Sequence, residues 1–179
     1  GVNSVANLVV NSGALKVNGN SGTGAVTVNT GATLLGKGTI AGAVTVASGG
    51  TIGAGFSAGK ATLPAGLNLS AGGNGATNVW ELAALQDNAT GVAGTDFDQI
   101  VLTGGNLALG TQATLDIRFT GAATAPDPSD PFWQSVHTWT IVSLSGGLNP
   151  GASNFGRVKN GSYAAGDFTT SVNGSGGIV

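Results

Sequence analysis

AVTVNTGATLL at residues 25–35 and AVTVASGGTIG at residues 43–53 are two copies of one phrase, set eighteen positions apart. Val26, Val28, Gly31, Thr33 and Leu34 map onto Val44, Val46, Gly49, Thr51 and Ile52 without a gap. The pattern returns at 107–117, LALGTQATLDI, where Leu107, Leu109, Ala113, Thr114 and Leu115 stand for Val26, Val28, Ala32, Thr33 and Leu34. Looser copies stand at 8–17 (LVVNSGALKV) and 67–73 (LNLSAGG). Short alternating strands joined by glycine turns, repeated at a period near twenty, indicate stacked coils of β-structure.

Side chains alternate along a strand, so in VTV the two valines face one way and the threonine the other. Val26, Val28, Val44, Val46, Leu107 and Leu109 are expected to form an internal ladder, with Thr27 and Thr45 outside. Asn29-Thr30-Gly31 and Ala47-Ser48-Gly49-Gly50 read as corners, where glycine accepts a positive φ and Asn or Ser bonds nearby backbone. One coil buries too little to offset its ordering entropy, so stability must come from neighbours. The expected fold is all-β, a right-handed parallel β-helix (β-solenoid) of roughly eight or nine coils stacked about 4.8 Å apart.

Composition agrees with that class. Charged residues make up 8% of the chain, glycine numbers 33 of 179 residues, and the hydrophobic share of 41% is enough for a core. Helix-favouring Glu, Lys, Arg, Gln and Met are scarce, which argues against an α-rich fold. The net charge of −2 and six scattered basic residues provide no patch for nucleic acid. Apolar runs such as Leu8 to Val10 are far short of a membrane span, so the chain is not expected to be transmembrane. With no methionine and no basic-plus-apolar leader, it is expected to be a processed or excerpted piece of a longer product. Absence of cysteine excludes disulfides and thiolate sites.

All ten aromatic residues lie from Phe56 onward. Residues 1–121 are therefore read as the regular coils and 122–179 as a less regular, broader or capped end of the same domain. The proline cluster at 125–131 predicts an external loop. Beyond it, 137–142 (HTWTIV) and 167–172 (DFTTSV) read as strands, and 146–161 as loop with weak strand character.

Several residues invite a chemical reading. Gly55-Phe56-Ser57-Ala58-Gly59 matches the GxSxG pattern of hydrolase nucleophiles, but that pattern needs a strand before it and a helix after it, whereas KATLPAGLNL follows here. A loop between coils is the expected role of Ser57. Gly36-Lys37-Gly38-Thr39-Ile40-Ala41 has no βαβ unit around it to make a dinucleotide turn. His137 has no second His or Glu nearby and reads as a hydrogen-bonded structural histidine. Trp133 and Trp139 are candidates for stacking on a glycan, against the commoner role of filling a cap. Asp96 and Asp98 alternate around Phe97 and so are expected to point the same way, a weak calcium site or, with Asp116, an acid and base set. A solvated turn is the favoured reading of that pair, and neither a catalytic residue nor a cofactor is expected.

The run AVTVNTGATLLGKGTIAGAVTVASGGTIGAGFSAG resembles the passenger-associated, autotransporter-type β-strand repeats of bacterial surface proteins. In that family a coil of the form VTVxxGxTLxGxGTIxGxVTVxxGGTIxPGxSPGTL precedes a GTDYDQL segment, which Gly94-Thr95-Asp96-Phe97-Asp98-Gln99-Ile100 matches with Phe97 in place of tyrosine. GFSAG departs from the family's PGxSPG. PFWQSVHTWTIV, Asn154-Phe155, Gly166-Asp167-Phe168 and the closing GSGGIV are similar to the stretch that precedes a sorting tail of the PEP-CTERM kind. The resemblance implies a parallel β-helix, secretion to the cell surface or medium, and a structural or adhesive role without a catalytic residue. The functional expectation is an extracellular, non-enzymatic building block of a surface fibre, sheath or adhesin. It would associate head to tail with copies of itself, because the first repeat shows no obvious cap. The alternatives are a glycan- or receptor-binding module, a β-helix polysaccharide-active enzyme, and a folding-promoting end of a longer passenger.

Overall fold

A computed structural model describes residues 7–71 and 75–179. The chain is all-β, built on parallel sheets, with one single-turn 3-10 helix at Pro131–Gln134 among the described residues. The strands follow in order as β1 (Asn7–Val10), β2 (Gly13–Lys16), β3 (Ala25–Val28), β4 (Ala32–Leu35), β5 (Val44–Val46), β6 (Thr51–Gly53), β7 (Lys60–Leu63) and β8 (Leu67–Asn68). They continue as β9 (Thr77–Leu82), β10 (Gln99–Leu102), β11 (Leu107–Ala108), β12 (Thr114–Phe119), β13 (Val142–Leu144), β14 (Arg157–Lys159), β15 (Ser162–Tyr163) and β16 (Gly166–Asp167).

The strands distribute in turn over three parallel sheets, ordered β1-β3-β5-β8-β11, β2-β4-β6-β9-β12-β14 and β7-β10-β13. Within each sheet equivalent residues of the repeat are partners. Val26 and Val28 pair with Val44 and Val46, Leu34 with Ile52, and Leu67 with both Val44 and Leu107. The bridges Asn20↔Thr39 and Thr39↔Thr62 carry the third sheet back beside the first two repeats.

One apolar cluster joins the inward residues of all three sheets. It contains Val26, Val28, Val44, Val46, Leu107 and Leu109 with Leu34, Ile52, Leu63 and Ile100. Thr27 and Thr45 pair with each other and remain half-buried on the outer side. On the second sheet Thr33, Thr51, Thr77 and Thr114 form a file of outward neighbours. Corners stack as the strands do. Gly31 and Gly49 turn with φ of 76° and 74°, and the Gly31 amide donates to the Gly49 carbonyl.

The stack has fewer layers than the expected eight or nine, since the longest sheet holds six strands among the described residues. The step between paired residues explains the difference. It is eighteen residues from Val26 to Val44 and forty from Leu67 to Leu107. The extra length lies in two excursions, 83–98 and 120–141, each leaving after a strand of the second sheet and returning into the third. They lie against each other. The Asn88 side chain donates to Thr140 Oγ1 and accepts from the Thr140 amide, and the Trp139 indole donates to the Gln86 carbonyl.

These contacts correct the strand expected at 137–142. Residues 137–140 are bound to the other excursion, the Ile141 carbonyl is the first to accept from a backbone amide of the third sheet, at Ile100, and regular pairing begins only at β13. The strand expected at 167–172 is likewise shortened. Gly166–Asp167 pairs antiparallel with β15, after which the chain turns at Asn173, whose side chain accepts from the amides of Ser175 and Gly177. Ile178 then returns antiparallel beside Val142 and Val172. Within 146–161 the weak strand character resolves into β14, parallel to β12. The 125–131 segment is irregular and mostly exposed, as its prolines require.

Candidate functional site

Asp96 and Asp98 do not share a face. Asp96 lies in the 94–96 turn, where its carboxylate accepts from the Val92 amide. Asp98 is only 2% exposed. Its two oxygens accept from the amides of Gly59 and Glu81, and its carbonyl accepts from the Trp80 indole. The alternation argument assumed a strand through residue 96, but Phe97 makes only isolated bridges and the strand begins at Gln99. The calcium pair is thus corrected: the two carboxylates serve separate turns, and no group of three or more His, Asp or Glu converges among the described residues. Asp116, the third acid considered, is also engaged. Arg118 Nη2 is 3.0 Å and Lys159 Nζ 3.6 Å from its Oδ2, and Asn160 Nδ2 donates to its Oδ1.

Asp98 nevertheless has an unusual environment. Burial pushes its carboxyl up to about 8, against the pull of the Gly59 and Glu81 amides and with a further push from the Glu81 charge. Glu81 is raised as well, by burial, with Arg118 and Lys37 opposing. Glu81 and Arg118 are cross-strand partners on β9 and β12. Around them lies an outer-face groove of about 280 Å³, which includes Thr33, Thr51, Gly53, Phe56 and Val79.

Ser57 is exposed in the bend between β6 and β7, with a strand rather than a helix after it. His137 lies in the second excursion. Its Nδ1 is 2.9 Å from Asp87 Oδ2, its Nε2 is 2.6 Å from the Phe132 carbonyl, and its ring stacks on Phe132 at 3.8 Å. Both nitrogens are occupied, so neither is left for Ser57. The hydrogen bond from His137 holds the Asp87 carboxyl below the usual range.

Trp133 and Trp139 belong to an aromatic cluster with Phe119, Phe132 and Phe168. Trp139 is 8% exposed, and its ring meets Trp80 edge-on. Little of that indole faces solvent, yet together with Trp133 it borders a depression of about 180 Å³, which Val136, His137 and Phe168 also line.

Glu81, Arg118, Gly53 and Phe56 did not stand out as a group in the sequence. One signal was present. Aligning 76–82 (ATNVWEL) with 113–119 (ATLDIRF) brings Glu81 opposite Arg118 and Thr77 opposite Thr114. Among the described residues no helix is long and apolar enough to cross a membrane. No protein-family model matches the chain, and no curated protein matches it.

Proposed function

We propose that this chain is a section of a right-handed parallel β-helix acting as a non-enzymatic structural element outside the cell, of the autotransporter-repeat kind, in a surface fibre, sheath or adhesin. It associates through the end that carries β1 and β2. What supports this reading is the difference between the two ends of the stack. At the C-terminal end each sheet is guarded. β14 is short and carries Arg157 and Lys159, β13 has Ile178 laid antiparallel along it, and the third edge, beyond β11, is met by the bridge Asn106↔Leu148. Short, charged or covered edges resist further pairing.

The opposite end has one such device, the exposed Lys16 at the end of β2, and no covering segment among the described residues. β1 and β2 are the outermost strands of their sheets, Val9 is 53% exposed, and Leu8, Val10 and Leu15 border a depression of about 380 Å³. Simple head-to-tail stacking would meet the guarded end, so the proposed contact is edge to edge between β1–β2 ends of two copies. Such a contact satisfies the unpaired backbone groups and covers the apolar end together.

Light scattering and negative-stain microscopy of the full chain at high concentration test this. Paired particles that dissociate on Val9→Lys are expected. A monodisperse monomer at all concentrations overturns the association. Incubation with pectin and alginate is expected to release no reducing ends or unsaturated products, and turnover of either would overturn the non-enzymatic reading.

A further inference from the structure

We propose that the groove around Gly53, on the outer face of the second sheet, binds one neutral saccharide ring. Across the sheet, Leu35, Gly53 and Val79 are consecutive outward neighbours, and the Leu35 side chain leans over the glycine, its Cδ2 2.9 Å from where a Cβ would stand. No turn demands glycine there, since Gly53 is in a strand and its φ is not left-handed. A glycine within a strand weakens it, and here it makes room for the tip of Leu35 at the floor of the groove. The volume of about 280 Å³ is at the small end for ligand pockets, so it suits a single ring rather than a buried chain.

The walls differ in character. On one side Phe56 is 42% exposed, the one aromatic among the large, well-exposed apolar side chains of the described residues. Lys16 Nζ lies 3.8 Å from its ring centroid and holds the ring at the rim by a cation–π contact. On the other side lie Glu81 and Arg118. Among the described residues no group hydrogen-bonds the Glu81 carboxylate, while Arg118 is tied to Asp116 through one nitrogen and remains half-exposed. The Thr33 and Thr51 hydroxyls border the groove as paired neighbours, each able to donate and accept.

A ligand here must put an apolar face on Phe56 and Val79 and hydroxyls on a carboxylate, a guanidinium and two threonines. A hydrocarbon would leave Glu81 buried without a partner. The rim carries both signs, Glu81 against Arg118 and Lys16 with Lys37 nearby, so an anion and a cation alike meet a like charge. A pyranose ring has one apolar face and an equatorial belt of hydroxyls, and satisfies every wall. The groove lies on the flank of the stack, so this proposal stands or falls separately from the association of the β1–β2 end.

The test is calorimetric titration of the full chain with cellotriose, chitotriose and mannotriose up to about 10 mM. Saturable binding of at least one is expected. Phe56→Ala and Gly53→Val should each weaken it by roughly tenfold or more, while Trp133→Phe leaves it unchanged. A Cβ at Gly53 comes within 2.9 Å of the tip of Leu35 and no closer than 3.6 Å to Val79, so the first atom of the new side chain displaces a side-chain end rather than backbone. If that variant does not fold, Glu81→Gln replaces it with the same expected loss. Absence of binding by all three saccharides overturns the proposal. So does binding that survives Phe56→Ala together with Gly53→Val or Glu81→Gln, or that is lost only with Trp133→Phe.

Discussion

Asp98 sets its carboxyl between two segments of chain, bonded to the Gly59 amide 39 residues away in sequence and to the Glu81 amide 17 residues away. Its value of about 8 in the fold exceeds 3.8, its ordinary value, so between those limits the unfolded chain has released a proton that the fold retains. The unfolded state binds fewer protons there, and stability falls as pH rises through that window. Glu81 acts in the same direction. Asp87 acts oppositely, because its lowered carboxyl contributes stability that is lost only as pH falls below the ordinary range. The melting temperature is therefore expected to decline from pH 4 to pH 8, and Asp98→Asn to remove most of that slope. Calorimetry at constant ionic strength checks it, and an unchanged slope in the variant would refute the assignment.

Strands show the logic of the repeat through the opposite fates of adjacent residues. Val46 is fully buried and Thr45 half-buried on the other face of the same strand. Val46→Ala should cost about 2 kcal/mol from lost burial and a residual cavity, whereas Thr45→Val should change stability by no more than about 0.5 kcal/mol. Close contact between layers gives a second contrast. A methyl on Gly42 would collide with the Gly24 carbonyl, while one on Gly19 meets nothing within 4 Å. Gly42→Ala is expected to destabilise by about 3 kcal/mol, at the upper end for forced overpacking, and Gly19→Ala to be nearly neutral. Urea unfolding of the four variants measures both contrasts.

The whole molecule is a stack with unlike ends. Removing residues 171–179 takes Ile178 from the edge of β13 and uncovers Val142. That truncation is expected to turn a discrete particle into larger, concentration-dependent assemblies in light scattering. If the truncated chain remains as discrete as the full one, the closing hairpin does not guard the edge. The two excursions widen the same end. His137 ties them together by bonding to Asp87 across 50 residues, so His137→Ala should loosen 83–98 and 120–141 in hydrogen exchange while leaving the β3–β5 amides protected.

How much of this was legible in the sequence depends on whether a feature repeats. The valine partners, the outward threonines and the glycine corners were readable because one phrase recurs at a fixed interval, and parallel stacking places recurring residues over one another. The shared face of Asp96 and Asp98, the strand at 137–142 and the number of layers were misread. Each depended on where the chain leaves the repeat, which local alternation does not encode. The groove at Gly53 and the capped end belong to the same class. They join Lys16 to Phe56, Asp98 to Gly59 and Ile178 to Val142, residues that approach one another only after the layers have stacked. The sequence by itself determined which side chains face inward and in what register. Only the tertiary structure decided where the non-repeating segments lie, because their positions follow from long-range hydrogen bonds and aromatic packing rather than from periodicity.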